Sequence, residues 1–186
     1  EDVLSGGKEA GDFLEGSYEV SLENDRNRIA LSCHRLGYVG EQPVSLKKRV
    51  LLDPGSSHFT TEYTIHNQSR TPLNQIFATE FFFSVVEEGS FLHHGRGASI
   101  GLSKERSEWK TPEALWIRDP VQGLDVGIHA TGPTGYWVLP LYTVALSETG
   151  LERTYQGTVL MAYWRLCLAP GKEWVGDLQH EFRLLL

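Results

Sequence analysis

The chain has 186 residues, which is enough for one domain with a hydrophobic core. Hydrophobic residues make up 40% and charged residues 22% of it, values that are typical of a globular domain and argue against disorder. The formal net charge is −7 and the densest basic run is Lys47-Lys48-Arg49, so nucleic acid and anionic membranes are disfavoured as partners. The longest uncharged apolar stretch, Tyr136–Leu146, has about eleven residues, whereas a membrane-spanning helix needs about twenty.

The chain opens on Glu1 without a signal-like apolar segment, which we interpret as a cut or processed chain with residues 1–10 as a poorly ordered lead-in. Cys33 and Cys167 each lie inside a strand-like run, and neither has the spacing of a metal site. We predict two buried free thiols, with a disulfide as the alternative, and from this a cytoplasmic protein.

Alternation of apolar and polar residues dominates the chain, as in the runs 29–33, 59–65 and 180–186. This period predicts strands with one face on a core. Two runs, Ile76–Val86 and Val159–Leu168, are apolar on both faces and are predicted to be central strands covered on both sides. The runs are separated by turn-forming residues at 24–27, 53–55, 67–69, 119–120 and 131–133.

The segment Gly89–Gly101 is the least regular and is predicted to be a long exposed loop. No window keeps a helical apolar stripe, and there is no linker or internal repeat. About ten to twelve strands at this spacing predict an all-β fold, a large two-sheet antiparallel β-sandwich that forms a single domain over residues 1–186.

One segment, 141–170, carries a motif. It contains Thr143-Val144, Ser147-Glu148, Gly150, Glu152 and Tyr155-Gln156-Gly157, and its strand then ends in Leu168-Ala169-Pro170-Gly171. This pattern resembles the C-terminal domain of the family-57 glycoside hydrolases, the α-amylases and 4-α-glucanotransferases. The resemblance implies a galactose-mutarotase-like supersandwich. It also implies that the family's catalytic barrel precedes this domain and is absent from the 186 residues.

The function implied by the resemblance is that of a non-catalytic domain. It would pack on the catalytic barrel of a retaining, α-glucan-acting hydrolase or transferase and could contribute to carbohydrate binding. Some predicted strands carry bulky apolar side chains on both faces, which agrees with one of those faces being covered by the barrel. Two alternatives stay open, a free-standing carbohydrate-binding domain and an aldose-mutarotase-like enzyme. The mutarotases carry approximately His-x-Tyr-Phe-Asn where this chain reads Thr79-Glu80-Phe81-Phe82-Phe83, without the His and the Asn.

Glu148 and Glu152 are the obvious pair to test for acid–base chemistry, because glycoside hydrolysis uses two carboxyl groups. Both lie in a turn-rich segment, where nothing would separate their pKa values, so structural or contact roles are expected. Glu80 lies in an apolar strand and must be paired or open to a groove. A salt bridge with an arginine is the first interpretation, and a contact to sugar or to the barrel is the second.

Trp109, Tyr155 and Gln156 complete the candidates for carbohydrate or domain contact, since aromatic rings stack on sugars and amides bind hydroxyls. For Trp109 a partly buried packing role is the first interpretation and a surface platform for sugar is the second. His93-His94 would point to opposite faces of a strand, and the sequence predicts no metal site and no cofactor. Asn67-Gln68-Ser69 is a formal glycosylation sequon. Gly157 is predicted to form a structural corner.

Overall fold

The computed structural model describes residues 9–25, 27–85, 90–93, 100–102, 105–110, 114–147 and 150–185. All regular elements within these ranges are strands: β1 (Glu19–Asn24), β2 (Ile29–Val39), β3 (Gln42–Leu52), β4 (His58–Asn67), β5 (Leu73–Phe83), β6 (Phe91–His93), β7 (Ile100–Gly101), β8 (Ser107–Trp109), β9 (Leu115–Asp119), β10 (Leu124–Ala130), β11 (Gly135–Ser147), β12 (Gly150–Leu168) and β13 (Glu173–Leu184). None of the described residues belongs to a helix that could span a membrane.

The strands form two antiparallel sheets. The large sheet has nine strands in the order β1-β2-β3-β4-β13-β10-β9-β6-β7, and the small sheet has four in the order β5-β12-β11-β8. The predicted all-β, two-sheet antiparallel sandwich is confirmed. The predicted loop at Gly89–Gly101 is wrong in part, because β6 and β7 join the large sheet there through main-chain pairing that the side-chain pattern does not reveal.

The core lies between the sheets, and we call the faces that meet there the inner faces. The alternation predicted for residues 59–65 appears in β4, where Tyr63 and Ile65 are buried. Leu160 of the small sheet and Leu178 of the large sheet both point into this core, and neither has any exposed surface. A hydroxyl–hydroxyl hydrogen bond of 2.9 Å between Tyr63 Oη and Thr79 Oγ1 joins β4 to β5 across the core.

The strand β5 is not a central strand, which corrects the prediction for Ile76–Val86. It is the edge of the small sheet and pairs only with β12. Its outer face is open, so that Phe82 is 50% exposed and Ile76 is 37% exposed. Apolar side chains on both faces therefore did not mean cover on both faces. The strand β12 is central, as predicted.

Both cysteines are free, but neither is buried, so the prediction of buried thiols is wrong. Cys33 is partly exposed because it lies on β2, in a part of the large sheet that the small sheet does not cover. Cys167 is exposed because it lies on the outer face of β12, opposite Asn74 of the edge strand. The cytoplasmic location remains a prediction.

Candidate functional site

The strands β11 and β12 continue beyond the body of the sandwich as a two-stranded arm. The neighbour β5 ends opposite Thr158, and β8 pairs only as far as Val138. Beyond these positions, among the described residues, the two strands pair only with each other. We call the residues Tyr142–Ser147 and Gly150–Tyr155 the arm; they include most of the motif that the sequence singled out.

The arm begins at a β-bulge. Leu141 lies opposite Gly157 and Tyr142 lies opposite Tyr155, so Gln156 is the extra residue of the bulged strand. Bulges bend a strand and increase its twist. Gly157 has a φ of 155°, and a Cβ there would lie 2.6 Å from the Phe82 ring and would also overlap the Phe83 carbonyl oxygen. This geometry supports the predicted corner.

One face of the arm is apolar and uncovered. Register places Tyr142, Val144 and Leu146 opposite Tyr155, Arg153 and Leu151. The exposed fractions are 63% for Val144, 83% for Leu146 and 78% for Leu151. At its base the Arg153 guanidinium lies 3.7 Å from the centroid of the Tyr142 ring, which packs edge-on against Tyr155 at 5.5 Å.

The opposite face of the arm is polar. It carries Thr143, Glu152 and Thr154, and Gln156 at the bulge donates from Nε2 to Thr143 Oγ1 at 3.1 Å. Tyr155 is partly buried, and its hydroxyl forms a hydrogen bond of 2.5 Å with Thr158 Oγ1. The arm is thus an amphipathic hairpin with an apolar and a hydrogen-bonding face.

The structure places three predicted site residues, Glu152, Tyr155 and Gln156, on one strand of the arm and its bulge, and places Glu80 and Trp109 on other strands. Glu148 lies outside the described residues. Trp109 is partly buried, packs against the hydrophobic core, and donates its indole N–H to Ser107 Oγ at 3.1 Å. This placement agrees with a packing role.

Glu80 lies on the outer face of β5, opposite Met161 of β12, and is exposed. Of the two predicted situations, paired or open, the exposure of Glu80 agrees with the open one. No ion pair of Glu80 occurs within the ranges that the structure describes. Water alone can solvate this carboxylate, so the salt bridge to an arginine is not needed.

A buried polar cluster on the outer face of the large sheet has no counterpart among the sequence predictions. Asp125 of β10 is only 1% exposed. It accepts a hydrogen bond of 2.6 Å from the Arg118 guanidinium and lies 3.1 Å from His93 Nε2. The three residues lie on adjacent strands of one sheet, and His93 is 32 positions from Asp125 in the sequence, so the strand order was needed to bring all three together.

Trp116 and His129 extend this cluster toward β13. The Trp116 ring lies across Gly127, and the Arg183 guanidinium lies 3.9 Å from its centroid. His129 Nε2 is 3.3 Å from a Glu181 carboxylate oxygen, without the geometry of a hydrogen bond. Burial lowers the pKa of His129, while Glu181 opposes that effect.

Histidine and carboxylate are the group types of acid–base catalysis, and mutarotases use one of each. Here the two groups are in contact, so no sugar ring fits between His129 and Glu181. Trp116 is itself 3% exposed and fills the neighbouring space. The cluster is therefore a packed network and not an open site. The described residues also contain no group of three or more His, Cys, Asp or Glu side chains that could hold a metal ion.

The chain matches the family described as alpha-amylase/4-alpha-glucanotransferase, C-terminal, over residues 1–178. It is 25% identical over 179 residues to Alpha-amylase 1 of Dictyoglomus thermophilum, a match that covers 89% of this chain and 23% of that protein. The 4-alpha-glucanotransferase structure from Thermococcus litoralis is similar with a TM-score of 0.67 and 23% identity, covering 98% of this chain and 24% of that chain. The chain thus spans about a quarter of the length of these two relatives.

A putative aldose 1-epimerase from Escherichia coli K12 has a TM-score of 0.69 and 11% identity, covering 91% of this chain and 69% of that chain. This likeness confirms the galactose-mutarotase-like type of sandwich and concerns the fold alone. The family match extends over nearly all of the sequence, including the arm and its motif. The chain therefore belongs to the family of C-terminal domains of α-amylases and 4-α-glucanotransferases.

Proposed function

We propose that this chain is a non-catalytic domain that packs, through the arm, on the catalytic part of an α-glucan-acting hydrolase or transferase. The observation that carries the proposal is the uncovered apolar face of the arm. Leu146 and Leu151 lie opposite each other there and are each more than three-quarters exposed. A two-stranded hairpin on its own is marginally stable in water, so a projecting arm with an apolar face fits a surface that another part of the protein covers.

The energetics favour a protein surface over a sugar as the cover of this face. Burying one leucine side chain contributes about 2 kcal/mol, because water is removed from its apolar area. Leucines offer no hydrogen bonds to sugar hydroxyls. The apolar side of the arm therefore suits the packing surface of a catalytic domain.

The polar side of the arm suits contact with glucan. Glu152, Thr154 and Gln156 offer carboxylate, hydroxyl and amide groups at neighbouring positions, which are the groups that bind sugar hydroxyls. If the apolar side packs on the catalytic part, this polar side lies at the rim of the interface between the two parts. We therefore propose that these three side chains extend the glucan-binding cleft.

Two observations support a non-catalytic role. Glu152 is exposed on a two-stranded arm, so burial does not prepare it as a general acid. On β5, Thr79 stands where the mutarotase pattern has its histidine, and its hydroxyl is bonded to Tyr63 in the core. Incubation with α-glucose or α-galactose should therefore leave anomer exchange at its uncatalysed rate. Catalysed exchange by this domain would favour the mutarotase-like alternative.

The docking proposal can be tested in the full-length polypeptide that contains this chain. We expect Leu146→Glu combined with Leu151→Glu to loosen the domain from the catalytic part, so that limited proteolysis separates the two at least fivefold faster. Affinity for maltooligosaccharides should fall in the same variant. Val175→Glu is the matched control, because Val175 is 68% exposed on the outer face of β13. Equal cleavage rates in both variants would contradict docking through the arm.

A further inference from the structure

The two sheets of the sandwich are unequal, and part of the large sheet has no described strand of the small sheet opposite it. The edge strand β5 lies over β4 and β13, because Thr79 is bonded to Tyr63 and the Phe81 ring packs edge-on against His180 at 4.5 Å. Next to β4 the large sheet continues through β3, β2 and β1, and none of the described strands of the small sheet continues beyond β5. We call the inner face of β1–β3 the overhang.

The overhang is an apolar surface apart from Lys48, which lies opposite Cys33 on the same face. Register places Leu31 opposite Val50, Val50 opposite Thr61, and Thr61 opposite the core residue Leu178, so these side chains share the inner face. Five apolar side chains of this face are exposed, by 36% to 66%: Val20, Leu22, Ile29, Leu31 and Leu52. They are neighbours on adjacent strands and form one patch instead of scattered single residues.

The open edge of β5 borders this patch, and Glu80 is its one charged residue. Edge strands are normally short or carry proline, lysine or a bulge. By contrast β5 has eleven residues, contains neither proline nor lysine, and pairs with β12 without a bulge. Within the described part of the chain, no hydrogen bond reaches the main chain of β5 from the side away from β12.

We infer that an extended segment from the catalytic part of the same polypeptide adds to β5 as a fifth strand of the small sheet and covers the overhang. The edge supplies main-chain hydrogen bonds, and alternate side chains of the added strand would point onto Leu52 of β3 and Leu31 of β2, which lies beside Leu22 on the same face. Neighbouring strands are about 4.8 Å apart, so one added strand lies over the nearest strands of the overhang. Strand addition to an open edge is a general mode of peptide binding.

The path of the chain indicates that the added strand comes from the same polypeptide. Gly11 forms a bridge with Val39 at the end of β2, and the Phe13 ring packs against the core beside Gly37 of the same strand. Gly11 and Phe13 thus meet the sandwich beside the overhang. In both relatives about three-quarters of the length lies outside the matched C-terminal region, which is ample to supply such a segment.

This inference rests on the proposed function, in which the domain works joined to a catalytic part. It can be tested by hydrogen exchange on the full-length polypeptide. We expect all main-chain amides of β5 to be protected, since an added strand would bond those that point away from β12. Leu22→Lys should speed exchange of the outward amides of β5 at least fivefold. Leu36→Lys is the matched control, because Leu36 is 58% exposed on the opposite face of the same part of the sheet.

The two free thiols provide a second measurement. Cys33 lies on the overhang and Cys167 on the outer face of the small sheet. In the full-length polypeptide, alkylation followed by peptide mapping should label Cys33 at least tenfold more slowly than Cys167. Leu22→Lys should reduce this difference, and Leu36→Lys should not.

Rapid exchange of the outward β5 amides in the unmodified full-length polypeptide would overturn the inference. Protection that grows with protein concentration would overturn it as well, because the cover would then be a second copy of the chain. If the overhang variants change nothing while the Leu146/Leu151 variant releases the domain, the proposed function stands and the added strand does not exist.

Discussion

Asn67 Nδ2 donates a hydrogen bond of 3.0 Å to the carbonyl oxygen of Leu168, a residue 101 positions further along the chain. The bond joins β4 of the large sheet to β12 of the small sheet at the end opposite the arm. Asn67 also donates to the Thr71 carbonyl at 2.9 Å, and its Oδ1 accepts from the backbone N–H and the hydroxyl of Ser69. All of its amide groups are therefore used, and the side chain is completely buried.

Replacing Asn67 with alanine should lower the free energy of unfolding by about 3 kcal/mol, because several buried polar groups would lose their partners. Chemical denaturation measures the loss. Asn74→Ala is the control, because Asn74 is exposed on β5. Equal effects of the two substitutions would contradict the role of Asn67. The same burial means that the sequon at Asn67 cannot be glycosylated in the folded domain.

Gly157→Ala should cost about 1–3 kcal/mol, because a methyl group there would overlap the Phe83 carbonyl oxygen and the Phe82 ring. Gly171→Ala separates this clash from backbone strain, since Gly171 has a φ of 69° and open space around its Cα. The Gly157 variant should melt at the lower temperature of the two. A melting temperature equal to that of the unchanged domain would leave the predicted corner without support.

His180 should make the domain less stable in acid. Burial, and secondarily Lys48, lowers the pKa of His180 to about 4, and the ring lies between Phe59 and Phe81 without a partner for Nε2. Below the unfolded-state pKa of about 6.5, His180 binds a proton in the unfolded chain but not in the folded chain. The free energy of unfolding therefore falls as pH drops from about 6.5 toward 4. The loss attributable to His180 is about 3 kcal/mol when the fall is complete.

The measurement is urea denaturation of the domain and of His180→Leu at pH 7.5 and at pH 4.5. The leucine variant should lose less stability between these two values. His34→Leu provides the comparison, because His34 is half-exposed on β2. An identical pH dependence for all three proteins would show that His180 does not titrate in this way.

Asp125→Ala should destabilise the domain by about 3 kcal/mol, because it leaves the Arg118 guanidinium and the His93 ring without their shared buried acceptor. Asp53→Ala removes an ion pair of similar length, 2.7 Å to Arg28, on an exposed surface. That control should change the melting temperature little, because exposed pairs are screened by water. Similar melting temperatures for both variants would contradict the structural role of the cluster.

The sequence predicted the all-β sandwich because alternation is a local signal: residues such as Tyr63 and Ile65 report which side of a strand is apolar whatever strand lies beside it. The motif of residues 143–157 likewise predicted the family, since it is contiguous. Side-chain pattern did not predict whether a strand is central or at an edge. Ile76 and Phe82 look like buried residues in sequence, and they are exposed because no described strand covers the outer face of the small sheet.

The candidate site residues likewise divide into those that the sequence could group and those that it could not. Glu152, Tyr155 and Gln156 could be grouped from sequence because one hairpin carries all three. Asp125, Arg118 and His93 could not, because their meeting depends on β10, β9 and β6 lying side by side in the large sheet. By itself the sequence determined most of the strands and their apolar faces, but not β6 and β7, whose pairing leaves no side-chain pattern. The tertiary structure alone decided which apolar faces are covered, because cover depends on pairing between strands that are distant in the chain.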